Sequence, residues 1–122
     1  MTVVTYTDIG VKGAVQNVQN LVQQAFAANG FQVRWDSAVK GKAEKGGKGM
    51  NIAFGALAQY FGIDFEIYPQ QDAATLRLIK ENTGWAGGAI GAMRVSKQFD
   101  QISDTLAAWF QSQGVLQGVR KQ

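Results

Sequence analysis

A segment rich in lysine and glycine, KGKAEKGGKGMN at residues 40–51, is the first candidate for chemistry in this chain. It precedes an apolar run that predicts a helix, and the free backbone amides at the start of a helix attract anions. The nucleotide-binding P-loop is excluded, because Lys42 and Gly49 stand where that motif requires a glycine and a hydroxyl side chain. A simpler anion site remains, and its candidate residues are Lys42, Lys45, Gly46, Gly47 and Lys48.

The same segment also has a purely structural interpretation. Lysines at the end of a hairpin protect the edge of a sheet from pairing with other chains. Three acidic residues, Asp36, Glu44 and Asp64, are expected in or beside this hairpin, where they weaken the positive field of the lysines. We therefore predict no measurable affinity for duplex DNA or RNA at physiological salt, and nucleic acid is not the expected partner.

A second glycine-rich stretch, WAGGAIG at residues 85–91, leads from a predicted strand into the last predicted helix. Glycines let a backbone approach a ligand closely, and the tryptophan would supply an apolar wall. We therefore expect a small apolar ligand between the C-terminal helix and the sheet. The expected ligand-binding residues are Trp85, Gly87, Gly88 and Gly91. Close packing of these glycines against a neighbouring element is the alternative, and residues 84–93 are compatible with a loop or a helix.

Two carboxylates, Asp64 and Glu66, lie two residues apart and share one face of a predicted strand. Paired carboxylates can divide the roles of acid and base when their environments differ. The same face is predicted to carry several cations on neighbouring strands, so cross-strand ion pairing accounts for the carboxylates. These cations are Arg34, Lys40, Lys42 and Arg77. We expect this face to be structural.

The amino acids that are missing exclude several chemistries. The 122 residues include no cysteine and no histidine, which excludes disulfides, thiol catalysis and serine–histidine triads. We expect no metal and no cofactor. The net charge of +3 is modest and falls short of the footprint of a dedicated nucleic-acid-binding domain. No signal peptide is visible in the first residues, and we expect a soluble, cytoplasmic protein.

Hydrophobic patterning predicts the elements that position these residues. Alternating apolar residues predict strands at 2–7, 31–35, 39–44, 63–68 and 75–82. Apolar residues at helical spacing predict helices at 11–28, 50–61 and 95–113. Asp8 is expected to cap the first helix and Gly62 to end the second. Val115 or Leu116 is expected to fold back onto the last helix.

The predicted elements follow the order β-α-β-β-α-β-β-α and indicate one α+β domain spanning residues 1–122. An antiparallel sheet of about five strands would carry the helices on one face. The first six elements match the ferredoxin-like pattern, to which a strand and a C-terminal helix are added. A helix-grip arrangement, in which the sheet curls around the last helix, is the alternative.

The function that these features favour is that of a small, non-catalytic binding or interaction domain. Binding of phosphate or of a nucleic-acid backbone by residues 40–50 is one alternative, and a small enzyme using carboxylate or lysine chemistry is another. The first predicted helix has an uncharged face of amide side chains, which are Gln16, Asn17, Gln19, Asn20, Gln23 and Gln24. Together with a free sheet edge, this face predicts a homodimer at micromolar concentration.

Overall fold

The structure is a computed structural model that describes residues 6–45, 61–80 and 88–121. Its elements are β1 (Tyr6–Lys12), α1 (Val15–Ala28), β2 (Gln32–Ser37), β3 (Lys40–Lys45), β4 (Phe61–Pro69), β5 (Ala73–Lys80), α2 (Gly88–Ser112) and β6 (Leu116–Lys121). The strands form one six-stranded sheet in the order β2-β3-β4-β5-β1-β6. Every pair of neighbouring strands is antiparallel. The predicted α+β class is therefore confirmed.

The ferredoxin-like order is matched only in part. β5 and β6 run in the same direction on either side of β1, with α2 connecting them, which is the split β-α-β arrangement of that fold. On the other side of β5, however, β4, β3 and β2 continue as a meander instead of closing the four-stranded ferredoxin-like sheet. The predicted second helix falls largely on residues 46–60, which lie outside the described residues.

Several predicted boundaries are wrong, and sheet pairing explains each difference. Asp8 does not cap a helix, because β1 continues through it to Lys12 and α1 begins only at Val15. Gly62 belongs to β4, where it pairs with Glu44 of β3. The final residues add a sixth strand to the expected five, because they pair with β1 instead of ending as a tail on the helix.

The core lies between one face of the sheet and the two described helices. Alternation along the strands directs one set of side chains inward, and α1 and α2 cover them with apolar stripes at helical spacing. The inward side chains of the sheet include Ile9, Phe65, Leu76 and Leu78, and the helices contribute Val18, Val22, Phe26, Phe99, Leu106 and Phe110, all fully buried. Both helices therefore pack against the same apolar cluster.

Both described helices end at glycines in the left-handed region, as expected for helix C-termini. Gly30 has a φ of 85° and follows α1, and Gly114 has a φ of 75° and follows α2. The amide of Val115 donates to the carbonyl of Phe110 over 3.1 Å, so the chain does turn back here before β6 begins. No helix in the described ranges has the length and apolar character needed to cross a membrane.

Candidate functional site

The sheet face opposite the helices is polar, and we call it the polar face. Its side chains alternate along each strand with those of the core. They are half-buried or exposed. The residues of the polar face include Tyr6, Asp8, Gly10, Arg34, Lys40, Lys42, Asp64, Glu66, Tyr68, Thr75, Arg77, Ile79, Gly118 and Arg120.

A row of alternating charges crosses this face over five strands. The register places Lys40 opposite Glu66, Glu66 opposite Arg77, Arg77 opposite Asp8, and Asp8 opposite Arg120. Opposite charges in directly opposed positions stabilise a sheet. The prediction that Glu66 has cationic cross-strand neighbours is confirmed by this register.

Arg77 is the centre of the row. Its Nε and Nη2 donate to the two carboxylate oxygens of Asp8 over 2.8 and 3.0 Å. Its guanidinium carbon lies 4.2 Å from the ring centre of Tyr6 and 5.1 Å from that of Tyr68. A planar guanidinium suits both the bidentate pair and the stacking. The hydrogen bond to Asp8 is the main cause that raises the pKa of Arg77 above its ordinary value.

Tyr68 is fixed by its neighbour on the same strand. Its hydroxyl donates to Oε1 of Glu66 over 2.5 Å, and this hydrogen bond is the main cause that raises the pKa of Tyr68. Arg77 and Tyr68 therefore both hold their protons more firmly than usual, and the oxygens of Asp8 are occupied by Arg77. This arrangement fixes the side chains of Arg77 and Tyr68 in place.

The polar face has a depression above two glycines, which we call the glycine groove. Gly10 of β1 lies directly opposite Gly118 of β6, so backbone alone forms the floor. The cavity measures about 370 Å³. A Cβ built on Gly118 would have no atom of the described residues within 4 Å beyond its chain neighbours. The groove is lined by Asp8, Gly10, Thr75, Gln117, Gly118, Val119 and Arg120.

A second cavity, which we call the α1–β2 hollow, measures about 310 Å³. It is lined by Gln19, Asn20, Gln23, Trp35, Ser37 and Ala38, none of which is charged. The indole Nε1 of Trp35 donates to Oε1 of Gln23 over 2.8 Å, and Nε2 of Gln19 donates to the carbonyl of Ala38 over 2.5 Å. Two side chains of the predicted amide face therefore bind within the chain and hold the walls of the hollow.

The Trp35 ring packs against an aromatic side chain of the core. It meets Phe65 edge to face, with ring centres 5.1 Å apart. The strand register places Gly41 opposite both of these aromatic residues. A Cβ on Gly41 would lie 2.8 Å from Cζ of Phe65 and 2.6 Å from the carbonyl oxygen of Arg34. A glycine is therefore required for this aromatic packing.

The residues predicted to bind an apolar ligand are only partly described. Trp85 and Gly87 lie outside the described residues, whereas Gly88 and Gly91 lie in the first turn of α2. The helix thus begins seven residues earlier than predicted, and residues 88–93 are helical. The apolar site at these four positions stays a prediction.

The two described lysines of the predicted anion site lie on opposite faces of the sheet. Lys42 projects from the polar face, opposite Asp64. Lys45 projects from the other face, with its Nζ 5.3 Å from the ring centre of Phe31. Because side chains alternate between the two faces along β3, Lys42 and Lys45, three residues apart, point to opposite faces. Gly46, Gly47 and Lys48 lie outside the described residues, so anion binding by this segment stays a prediction.

Two features of the polar face were missed by sequence reasoning. One is the pairing of Asp8 with Arg77, and the other is the opposition of Gly10 and Gly118. A signal for the first was present, because YTDIG at residues 6–10 continues the strand alternation through the aspartate. The second depends on which strands become neighbours, and no local pattern indicates that.

Ionic contacts elsewhere hold β6 against α2. The amino group of Lys121 lies 2.5 Å from Oδ1 of Asp100 and 2.8 Å from Oδ1 of Asp104. These two aspartates raise the pKa of Lys121, with Asp100 the larger cause. Within the described ranges, no three acidic side chains come together as potential metal ligands.

Comparison of the chain with protein-family models and with curated proteins finds no match. The polar face, the glycine groove and the α1–β2 hollow are therefore the features of the described residues that bear on function.

Proposed function

We propose that this chain is a non-catalytic binding domain and that the α1–β2 hollow binds a small, neutral ligand rich in hydroxyl or amide groups. The observation that carries the proposal is the pre-arranged, uncharged wall of this cavity. The Trp35–Gln23 and Gln19–Ala38 hydrogen bonds fix three of its side chains and one carbonyl before any ligand arrives. Pre-arranged groups lose little conformational entropy on binding.

The hydrogen-bonding capacity left in the hollow supports a neutral, polar ligand. A glutamine or asparagine side chain offers two donors and two acceptor positions. Gln23 has used an acceptor and Gln19 a donor, so the amide nitrogen of Gln23 and the amide oxygen of Gln19 remain to pair with a ligand. Neither is charged, and a formal charge on the ligand would be desolvated without a partner.

The half-buried ring of Trp35 supports a ligand that also has an apolar side. Small-molecule sites combine aromatic surface with a few fixed polar groups, and they occupy cavities of roughly 300–1,000 Å³. The hollow, at about 310 Å³, is at the lower end of this range. A mono- or disaccharide or a capped amino acid amide has this size and this mixture of surfaces.

Catalysis is the less favoured function because the ionisable groups of the polar face neutralise one another. Asp8 is bound by Arg77, and Glu66 accepts from Tyr68. A general acid or base must exchange a proton with a substrate at working pH.

The apolar ligand expected near Trp85 and Gly87 is a separate proposal, and anion binding by Lys42, Lys45 and Lys48 is a third.

Tryptophan fluorescence tests the proposal. In a variant with Trp85→Phe and Trp109→Phe, Trp35 is the remaining tryptophan of the three in the chain. We expect maltose or N-acetylglycinamide to change its emission in a saturable way at millimolar concentration, whereas sodium glutamate of equal concentration has no effect. Asn20→Ala should weaken the response, and Gln32→Ala, an exposed change away from the hollow, should not. An unchanged emission with both neutral probes would contradict the proposal.

A further inference from the structure

Strand β6 forms one end of the sheet and has an exposed surface. Its Val119 is 43% exposed and is one of two large apolar side chains that are exposed in the described part of the chain. An edge strand presents unpaired backbone N–H and C=O groups, which are a template for pairing with another chain. The strand is thus a candidate interface that does not depend on the proposed ligand site.

Charged side chains often protect the edge strand of a sheet from pairing. The two charged side chains of β6 are instead directed to neighbouring groups of the same chain. Lys121 is held on α2 by Asp100 and Asp104, and Arg120 lies on the polar face, opposite Asp8. The register shift of the β1–β6 pair falls at Gln117, between Leu116 and Gly118. Beyond it, residues 118–121 pair regularly with β1, and no other described strand pairs with them on their outer side.

We propose that β6 pairs antiparallel with β6 of a second copy of this chain, about a two-fold axis that passes beside Val119. The two sheets would then continue into each other. Residues directly opposite in an antiparallel pair point to the same face. Because side chains alternate between the faces along a strand, the numbers of two residues that a two-fold axis places opposite each other must differ by an even number or be equal. In this register Val119 meets the partner's Val119, and Gly118 meets the partner's Arg120.

The glycine groove explains why this register fits. The partner's Arg120 projects from the polar face directly beside Gly118, where no described side chain of the first copy lies within 4 Å of a Cβ built on the glycine. The groove of about 370 Å³ is large enough for the long arginine side chain, and Thr75 and Gln117 on its walls supply oxygen acceptors. The contact occurs twice by symmetry, which is the form of an isologous interface.

The opposite edge is less suitable for pairing. β2 has a register shift between Trp35 and Ser37, as β6 has at Gln117, but β2, with the sequence QVRWDS, has no glycine beside which a partner's side chain could fit. The carbonyl of Ala38, just beyond it, already accepts from Gln19. We therefore assign self-association to β6 and not to β2 or the amide face of α1.

Cross-linking tests the register. The chain has no cysteine, so one engineered cysteine reports on one position. Directly opposed residues have Cβ atoms about 4.5–5.5 Å apart, close to the spacing that a disulfide needs. We expect Val119→Cys to form a disulfide-linked dimer under mild oxidation, whereas Gln117→Cys, which faces the partner's Lys121, stays largely monomeric. Equal cross-linking of both variants, or none, would overturn the register.

Sedimentation tests the interface itself. We expect the wild-type chain to dimerise and Gly118→Val to raise the dimer Kd at least tenfold, because the new side chain fills the groove needed by the partner's Arg120. The monomer should tolerate this change, since the Cβ position is open and far-UV circular dichroism can verify the fold. Gln32→Val on the opposite edge should leave the Kd unchanged. A wild-type monomer at about 1 mM, or an unaffected Gly118→Val dimer, would contradict the proposal.

Discussion

The guanidinium of Arg77 illustrates how single residues organise the polar face. It is bound at both oxygens of Asp8 and stacked between the rings of Tyr6 and Tyr68. The members of this cluster come from β1, β4 and β5, which are three of the six strands. It therefore ties the N-terminal strand to the central hairpin.

Replacing Arg77 by lysine tests the importance of its shape. Lysine keeps the charge but cannot form the two parallel hydrogen bonds or stack as a plane. We expect Arg77→Lys to lower the thermal unfolding midpoint, and Lys40→Arg, at the more exposed end of the same row, to leave it unchanged. Equal midpoints for wild type and Arg77→Lys would show that the cluster contributes only a charge.

Alkaline pH tests the two groups with raised pKa values. Tyr68 and Lys121 both have a higher pKa in the folded chain than their ordinary values of 10.0 and 10.5. The folded state therefore holds more protons above pH 10, and its stability must fall as the pH rises through these folded pKa values. We expect urea midpoints to be constant from pH 7 to 9 and to fall above 10. The fall should be smaller in Asp100→Asn, and an identical fall would argue against the Lys121 contacts.

At the scale of elements, α2 contributes large apolar side chains to the core. Phe99, Leu106 and Phe110 are all fully buried. We expect alanine at any of these positions to reduce the free energy of unfolding by about 2–5 kcal/mol, because each change leaves a cavity. Gln101→Ala, on the exposed side of the same helix, should cost less than about 0.5 kcal/mol. Chemical denaturation would measure both, and unchanged midpoints for the core variants would mean that α2 does not pack on the sheet.

The strand glycines Gly41 and Gly118 differ in whether the surrounding structure has room for a larger side chain. A Cβ at Gly41 would meet backbone at 2.6 Å, whereas a Cβ at Gly118 would meet no atom within 4 Å in the part of the chain that the structure describes. We expect Gly41→Ala to destabilise the fold by about 1–3 kcal/mol through overpacking. Gly118→Ala should remain within about 0.5 kcal/mol of the wild type. Similar unfolding midpoints for the two variants would contradict the close packing of Trp35 and Phe65 around Gly41.

Local sequence patterns predicted the strands with strong alternation well, and they failed where long-range pairing decides. The alternation in FQVRW and IDFEIY is strong enough to identify β2 and β4. β6, with the sequence LQGVRK, has only two apolar residues and a glycine, so its strand character depends on pairing with β1. Aspartate is a common helix-capping residue type, and this preference outweighed the alternation of YTDIG in the sequence analysis, although β1 continues through Asp8 to Lys12.

The same limit applies to the candidate sites. The α1–β2 hollow joins residues of a helix to those of an edge strand, and the glycine groove joins the first and last strands. Sequence reasoning identified the amide residues of α1 as a surface, but their bonds to Trp35 and Ala38 depend on how the helix lies on the sheet.

For the whole molecule, the distribution of charge predicts weak interaction with nucleic acid. The net charge is only +3, and the cations of the polar face alternate with carboxylates. We expect no measurable anisotropy change for labelled duplex DNA or RNA at physiological salt. Micromolar binding that is abolished by replacing Lys42, Lys45 and Lys48 with glutamine would show that residues 40–50 bind a phosphate backbone.

The most direct test of the proposed function is a map of amide chemical shifts during titration with maltose or N-acetylglycinamide. It compares all the proposed sites in one experiment. We predict saturable changes that concentrate at residues 19–23 and 35–38 and include the indole N–H of Trp35. Changes centred instead on residues 85–91 or 42–48, or no saturable change with either probe, would contradict a neutral ligand site in the α1–β2 hollow.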